Sequence, residues 1–342
     1  MKIAVDKNSI QAVTGDNNEY IYLFDNEPYQ ELLNTKLHCI QFNYCKFVDI
    51  NLTDYDIDCI KKAKITDKDY KNLQIQNYKI AIIIPNYNYE HTIDKCLGSI
   101  AEQTYKNYEV IFVDDMSTDN SVEIASNYID KCNMKIISLK QKRLNGGARN
   151  EAYLHISDDV DYVWYVDSDD WLKDEYVLED INRKLQKKPD VLFVGMNQCK
   201  NGKESLAFKP EYKDKYEAMK GWSGSCGKVI KKSLATRQEC LYNEGTLKED
   251  RNQHYKICIN METFDILPEP MYVWNRDNTK SVTTVREEII WGTSTIRHYA
   301  DTMQLYLTYK GKDKKLDRIL EERLNLCKKE LDDKGDRQFW NM

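Results

Sequence analysis

The 342-residue chain contains no apolar run that approaches the roughly 20 residues of a membrane-spanning helix. Its N-terminus, Met1-Lys2-Ile3-Ala4-Val5-Asp6, lacks the continuous apolar core of a secretory signal peptide. Positive charge is not in excess either, because 50 Lys and Arg stand against 56 Asp and Glu and give a formal net charge of −6. We therefore expect a cytoplasmic protein without a membrane span and without a global attraction to nucleic acid or anionic membranes.

Clusters of cysteine and histidine, the usual ligands of a structural zinc ion, are also missing. The ten cysteines include no Cys-x-x-Cys pair, and the five histidines are dispersed along the chain. A structural zinc site needs clustered thiolates and imidazoles, so the sequence disfavours one. Scattered cysteines in a chain of this length are typical of reduced, mostly buried thiols.

The composition present, 41% hydrophobic and 31% charged residues, is that of a globular protein with one large domain and smaller additions. Residues 1–78 are rich in Tyr, Asn and Asp with short apolar runs, which predicts a small, mostly β accessory region of unknown role. A short helix is expected near 55–63. We place the main domain at 79–284 and a C-terminal helical extension at 285–342.

From Lys79 onward, apolar runs alternate with segments of helical spacing. The runs predict buried strands at 80–84, 109–113, 134–139, 162–166 and 190–195. The spacing predicts intervening helices over 90–103, 119–130 and 174–187, and a further helix that follows Gly146 and Gly147 and ends near 156. This alternation indicates an α/β fold with a mostly parallel sheet flanked by helices.

After residue 195 the alternation loosens. We expect a Gly/Ser turn leading into a short helix over 222–234, a helix over 248–259, and a strand over 264–274 interrupted by two prolines. The final helix carries an apolar stripe formed by Leu316, Leu320, Leu324, Cys327 and Leu331. Packing of this stripe on the main domain is the first interpretation, and homodimerisation through the C-terminal helices is the second.

Polar residues follow four of the predicted strands. The segments are Pro85-Asn86-Tyr87-Asn88, Asp114-Asp115-Met116-Ser117-Thr118-Asp119, Asn145-Gly146-Gly147-Ala148-Arg149 and Asp167-Ser168-Asp169-Asp170. Open α/β sheets bind ligands at the carboxyl ends of their strands, and closely spaced carboxylates suit Mg²⁺ or Mn²⁺. The alternative for the last segment is an acidic turn that caps a helix, a role that fits Asp170 best.

In this order, the four segments resemble those of glycosyltransferase family 2, which has the GT-A fold. The family pattern is a strand ending in Pro-x-Tyr-Asn, then Val-Asp-Asp-x-Ser-x-Asp, then Asn-x-Gly-x-x-x-Ala-Arg-Asn, then Asp-x-Asp; the third motif is compressed here. Looser similarity extends through Glu249-Asp250 to Ser281-Val282-Thr283, so the resemblance covers roughly 79–284. A Gly-rich loop after the first strand is absent, which argues against an NAD dehydrogenase or a nucleotidyltransferase.

The resemblance implies roles for the donor-binding residues. Asp115 would hydrogen-bond the nucleobase, with Tyr87 and Arg149 completing that pocket. Asp167 and Asp169 would hold the sugar nucleotide through its ribose and a divalent Mn²⁺ or Mg²⁺ ion, with Asp169 as the direct ligand. The other expected donor-binding residues are Pro85, Asn88, Gly147, Ser168, Lys228 and Ser281, and Arg276 is a further candidate for the diphosphate or acceptor.

The resemblance also implies that Asp250 is the general base that takes the proton of the acceptor hydroxyl, with Glu249 orienting or tuning it. The alternative is that both are ordinary acids favoured by the helix dipole. His254, one turn later, is expected to be packed or exposed rather than catalytic. One base and no second carboxylate nucleophile predict inversion at the anomeric carbon.

We therefore predict a metal-dependent, inverting glycosyltransferase that uses a nucleotide-diphosphate sugar, expected to be UDP-linked, and a hydroxyl acceptor in surface glycan synthesis. A processive synthase is disfavoured, since the chain has neither a membrane span nor a Gln-x-x-Arg-Trp motif. Two alternatives stay open at this point. One is transfer to an unusual acceptor, a protein or modified nucleic acid, and the other is a non-catalytic nucleotide-sugar-binding module.

Overall fold

A computed structural model describes residues 76–278 and 288–335, together with four strands of the region before residue 76. The chain divides into two compact units, Met1–Asn77 and Tyr78–Met342. The first unit contains an antiparallel sheet in the order β3-β2-β1-β4, formed by β1 (Lys2–Asp6), β2 (Ser9–Thr14), β3 (Glu19–Leu23) and β4 (Phe47–Asp49). The helix predicted near 55–63 lies outside the described residues.

The second unit is built on one nine-stranded sheet. Its strands in chain order are β5 (Ile80–Asn86), β6 (Tyr108–Asp114), β7 (Met134–Ser138), β8 (Tyr162–Tyr165), β9 (Trp171–Leu172), β10 (Val191–Lys200), β11 (Lys203–Phe208), β12 (Lys228–Lys231) and β13 (Phe264–Asn275). They lie in the order β7-β6-β5-β8-β12-β10-β13-β9, with β11 beside β10. Strands β5 to β8 pair in parallel, whereas β12 is antiparallel to both of its neighbours.

Helices flank this sheet. They are α1 (Ile93–Ala101), α2 (Ser121–Ser126), α3 (Leu144–Ala152), α4 (Val177–Leu185), α5 (Lys215–Lys220), α6 (Lys232–Ala235), α7 (Glu249–Asn260), α8 (Glu288–Tyr309) and α9 (Lys314–Gly335). The predicted α/β class with a flanked, largely parallel sheet is confirmed. Two predicted helices differ in extent: α2 ends at Ser126 rather than near 130, and α3 begins before Gly146 and Gly147 rather than after them.

Strand β5 shows why the apolar runs become central strands. Its residues alternate between the two layers of the core, so that Ile80, Ile82 and Ile84 pack in one cluster while Ala81 and Ile83 pack in the other. All five side chains are fully buried. Full burial of an aliphatic side chain contributes about 1.5–3 kcal/mol, which makes this two-sided run a strong determinant of the sheet.

Strand β12 is absent from the sequence-based prediction, which placed only a turn and a short helix over 222–234. The structure has a 3₁₀ turn at Ser225–Gly227, then β12, and then the short helix α6. The prediction failed because this central strand is four residues long and begins and ends with lysine, so it carries no apolar run.

The apolar stripe of the last helix packs on the main domain. Leu316, Leu320 and Cys327 are buried, and the two leucines belong to the same core cluster as Ile83 of β5. This favours the first interpretation of the stripe; dimerisation stays a prediction. Within the described residues, no helix is both long enough and apolar enough to cross a membrane.

Candidate active site

The carboxyl ends of β5 and β8 open into a cavity of about 170 Å³, closed on its other side by the first turn of α7 and the segment before β12. The cavity collects residues that lie far apart in the sequence. Seven of its lining residues are predicted site residues: Pro85, Arg149, Asp167, Ser168, Asp169, Glu249 and Asp250. The donor-side acids and the predicted base therefore face one space.

The acidic segment after β8 is held by strand β13. The Asp170 carboxylate accepts hydrogen bonds from the Tyr272 hydroxyl at 2.5 Å and from the Asn275 backbone N–H at 2.7 Å. The same hydroxyl accepts the Asp167 backbone N–H at 3.1 Å. The expectation that Asp170 caps a helix is wrong, because β9 follows it directly and the next helix begins only at Val177.

The surroundings of Asp169 disfavour the ionised form of its carboxyl group. Asp169 is 7% exposed, and its one described hydrogen bond comes from the Asn278 side-chain amide at 2.8 Å. Burial, together with the negative charge of Asp167, raises the pKa of Asp169 from 3.8 to about 6. A cation between the two carboxylates would lower that pKa by relieving both effects.

Arg149 joins the two acidic walls of the cavity. One of its guanidinium nitrogens lies 2.6 Å from Asp167 Oδ1 and another lies 2.8 Å from Glu249 Oε1, while its Nε has no partner among the described residues. Burial opposes its charge, but Asp167, Tyr242 and Glu249 together raise the pKa of Arg149. Arg149 therefore stays charged and fixes the acidic segment relative to α7.

The two acids of α7 have different environments. Glu249 is buried against Arg149, and burial raises its pKa although the guanidinium opposes the shift. Asp250 is half-buried and lines the cavity, and burial raises its pKa against the opposing charges of Arg149, Arg251 and Lys228. A carboxylate with a raised pKa accepts a proton more readily, which suits a general base.

The segments that follow β5 and β6 are held by side-chain hydrogen bonds to backbone N–H groups. The Asp115 carboxylate accepts the backbone N–H groups of Arg143 at 2.7 Å and Leu144 at 2.8 Å, so it anchors the start of α3. Asn88 has a φ of 59° and is fixed by the Ser117 hydroxyl, which accepts its backbone N–H at 2.9 Å. Tyr87, Asn88 and Asp115 do not line the 170 Å³ cavity, and their contact with a nucleobase stays a prediction.

Gly147 is required by close packing. A Cβ at this position would lie 2.3 Å from Cβ of Arg143, the residue whose backbone N–H binds Asp115. Gly146 has the same constraint from another direction, because its Cβ would lie 2.8 Å from the Asn243 carbonyl oxygen. The paired glycines thus let α3 lie against the segments that carry Arg143 and Glu249.

The comparisons with known proteins identify the family. Residues 81–241 match the model of Glycosyl transferase family 2. The matched residues, 81–241, form a family 2 domain. The matched segment contains the four strand-end motifs and ends before α7, so the predicted base lies just outside it.

Individual relatives share parts of their length with this chain. The glycosyltransferase GlyA of Streptococcus pneumoniae is 30% identical over 216 residues, which are 57% of this chain and 30% of GlyA. The poly(ribitol-phosphate) β-glucosyltransferase of Bacillus spizizenii is 36% identical over 119 residues, 33% of this chain and 18% of that enzyme. The chain therefore spans less than a third of either relative.

A solved structure supports the fold. The crystal structure of S. aureus TarS 1-349 in complex with UDP-GlcNAc superimposes with a TM-score of 0.58 at 22% identity, covering 72% of both chains. At this level of identity the likeness concerns the fold, which is GT-A. It confirms the architecture that the resemblance implied.

Lys228 and His254 do not line the 170 Å³ cavity. The buried Lys228 ammonium donates to the backbone carbonyls of Ser223 at 3.0 Å and Gly224 at 2.6 Å, and burial lowers its pKa to about 8. Lys228 thus stabilises the segment that carries Gly224, a lining residue of the cavity. Direct contact of Lys228 with a nucleotide sugar stays a prediction. His254 is fully buried with Nε2 2.9 Å from the Ala218 carbonyl oxygen, as the packed interpretation predicts.

Arg276 and Ser281 are the two other predicted site residues, and Arg276 does not line the 170 Å³ cavity. Arg276 is exposed, with its guanidinium carbon 4.2 Å from the ring centre of Trp274. Ser281 lies outside the described residues, so its role as a donor-binding residue stays a prediction.

Sequence reasoning missed an aromatic wall of the 170 Å³ cavity. Trp222 and Trp274 line it and meet edge to face, with ring centres 5.6 Å apart. Gly224 permits this arrangement, because a Cβ there would lie 2.3 Å from Nε1 of Trp222. Tryptophans beside a Gly/Ser segment and a Pro-containing strand are the signals present, but neither marks a binding surface by itself.

Proposed function

We propose that the family 2 domain transfers a sugar from a nucleoside diphosphate sugar, with UDP as the expected nucleotide, to an acceptor hydroxyl with inversion. The observation that carries this proposal is the single cavity shared by Asp167 and Asp169 on one wall and by Asp250 on the other. A donor diphosphate near the first wall places the anomeric carbon between the two walls. The second wall then holds a base for the incoming hydroxyl.

The chemical step follows from this arrangement. The acceptor oxygen forms a bond to the anomeric carbon while the bond from that carbon to the diphosphate oxygen breaks, and the electron pair leaves with the diphosphate. The acceptor proton passes to the Asp250 carboxylate. The raised pKa of Asp250 favours this transfer, and the Arg149–Glu249 ion pair keeps α7 in register with the donor side.

We also propose that Asp169 and Asp167 hold a Mn²⁺ or Mg²⁺ ion. The donor set fits, because Mg²⁺ in phosphate sites is commonly held by one or two carboxylates plus substrate oxygens. The raised pKa of Asp169 reflects a buried carboxylate beside another negative charge, which is the environment a cation would stabilise. When bound, the ion supplies charge stabilisation to the diphosphate leaving group.

Relatives suggest the kind of acceptor. Two of them are named poly(ribitol-phosphate) β-glucosyltransferase and poly(ribitol-phosphate) β-N-acetylglucosaminyltransferase TarS, and these names describe transfer of glucose or N-acetylglucosamine to poly(ribitol-phosphate). We propose a bacterial surface glycan or its precursor as the acceptor class of this chain, with a cytoplasmic reaction.

A nucleotide screen tests the proposed function. Thermal unfolding is measured with UDP, GDP and their sugars in the presence of Mn²⁺ or Mg²⁺, and release of the nucleoside diphosphate is followed in parallel. We expect UDP with metal to raise Tm in the native protein and not in Asp169→Ala, while the exposed-site control Asp158→Asn behaves as native. Indifference of Tm and of nucleotide release to every donor would overturn the proposal, whereas binding without any turnover would favour a non-catalytic module.

A further inference from the structure

A second and larger cavity, of about 510 Å³, lies between α5, α7 and α9. Its apolar floor includes Met219, Tyr255 and Ile319, and two arginines, Arg251 and Arg323, stand in its walls. This volume is within the usual range for small-molecule sites. The mechanism described above uses none of these side chains.

The two cavities are neighbours along two segments of chain. On α7, Asp250 lines the first cavity and Arg251 lines the second, because consecutive side chains of a helix project roughly 100° apart. Before β12, Gly224 lines the first and Ser223 lines the second. The wall of the second cavity is therefore adjacent along α7 to Asp250, the proposed acceptor of the hydroxyl proton.

The cationic side chains of this second cavity differ in whether a nearby carboxylate neutralises their charge. Arg251 lies 3.2 Å from Glu330, and Lys220 lies 3.6 Å from Glu322. Arg323 has no carboxylate within ion-pair distance among the residues that the structure describes; its guanidinium lies 2.9 Å from Nε2 of His298. Its Nε is buried without a hydrogen-bond partner in that same part of the chain.

His298 makes Arg323 a fixed donor. The imidazole is buried, and burial with the nearby charge of Arg323 lowers the pKa of His298 to about 3. The ring is therefore neutral at physiological pH, and its Nε2 accepts a hydrogen bond from the guanidinium. This contact holds the Arg323 cation in the cavity wall and leaves the N–H groups of its other terminal nitrogen for a ligand.

We infer that the second cavity is an acceptor subsite that binds an anionic group, a phosphate or a carboxylate, carried next to the hydroxyl that Asp250 deprotonates. Arg323 supplies the uncompensated charge and Arg251 supplies a second donor. The apolar floor fits the carbon chain that links the anion to the hydroxyl. The inference rests on the proposed transfer for its role, but the binding itself is measurable without turnover.

Small probes test this subsite. Glycerol 3-phosphate, glycerate and neutral glycerol are titrated into the full chain with and without UDP and Mn²⁺, and binding is followed by calorimetry. Hydrogen exchange measured by mass spectrometry reports where the probe lies. We expect at least one anionic probe to bind, to protect residues 319–330, and to bind more strongly than glycerol.

Matched variants test whether Arg323 is the cation that binds the anionic probe. Arg323→Gln is expected to weaken binding of the anionic probe about tenfold or more, since hydrogen bonds to charged groups are among the strong ones, and Arg323→Lys is expected to weaken it less. Lys328→Gln removes the same charge from an exposed position of α9 that does not line the cavity, and it should leave binding unchanged.

Three results would overturn the inference: no probe protects residues 319–330, glycerol binds as well as the anions, or Lys328→Gln weakens binding as much as Arg323→Gln. Protection in the native protein decides the matter if Arg323→Gln fails to fold. Failure of the proposed function looks different, because it abolishes the response to UDP and leaves probe binding at α9 unaffected.

Discussion

Replacing Asp169 with asparagine removes a buried negative charge. It keeps a side-chain oxygen that can accept the hydrogen bond from the Asn278 amide. In the native protein, burial and the charge of Asp167 raise the pKa of Asp169 from 3.8 to about 6. A pKa difference of about 2 corresponds to roughly 3 kcal/mol between the two protonation states. Ionised Asp169 therefore lowers the free energy of unfolding by about that amount, and Asp169→Asn should recover it.

The sign of the pH dependence follows from proton binding. The folded state holds the Asp169 proton more tightly than the unfolded state, so its contribution to stability is complete below pH 4 and is lost as the pH rises through about 6. Asp169→Asn has no such loss. We expect the variant to exceed the native protein in unfolding free energy by about 1 kcal/mol at pH 4.5 and about 3 kcal/mol at pH 8.

Urea unfolding followed by tryptophan fluorescence in EDTA measures this difference without metal. Asp158→Asn is the control, because Asp158 is exposed and its removal should change stability by less than about 0.5 kcal/mol. The same Asp169→Asn variant should lose sugar transfer. A stability gap that is equal at pH 4.5 and pH 8, or a variant less stable than native at pH 8, would refute the electrostatic reasoning.

Two further predictions concern the same cavity, and a third concerns the packing of α3 beside it. Asp250→Asn should lower the transfer rate about 10²–10⁴-fold while donor binding, measured by thermal shift, is unchanged; an equal loss of binding would argue against a base. Arg149→Gln should lower the unfolding free energy, measured by urea unfolding, by about 3–5 kcal/mol, because it leaves the buried Glu249 carboxylate and the half-buried Asp167 carboxylate unpaired. The double variant with Glu249→Gln should lose less than the sum, and strict additivity would contradict the ion pair. Gly147→Ala should destabilise by about 1–3 kcal/mol, since its Cβ would lie 2.3 Å from a neighbouring Cβ, whereas Gly98→Ala has 3.7 Å to its nearest neighbour and should be neutral or stabilising.

The parallel half of the sheet could be predicted because its strands are buried on both faces. Ile80 to Ile84 form an unbroken apolar run, and each residue has a core layer to enter. Strand ends in such a sheet meet at one edge, so Pro85, Asp167 and Asp169 could be assigned to one site before their distances were known.

Strand β12 and the support of Asp170 could not be predicted, although the neighbouring strands β10 and β13 could, because no local apolar pattern marks either feature. Lys228 is polar in the sequence and yet fully buried, since the Ser223 and Gly224 carbonyls accept its ammonium protons. Asp170 resembles a helix cap in the sequence, and its partner Tyr272 is 102 residues away. A local pattern does not contain a pairing over that separation.

The support of the acidic segment by β13 has a consequence for how the protein is made. Asn275, which donates to Asp170, is 105 residues further along the chain. At ordinary rates of synthesis, a ribosome needs roughly 5–20 s to cover that distance. During this interval the nascent chain has its four strand-end motifs complete, while the acidic segment lacks its final support. We therefore expect nucleotide affinity to appear late, only after β13 has left the ribosome and entered the sheet.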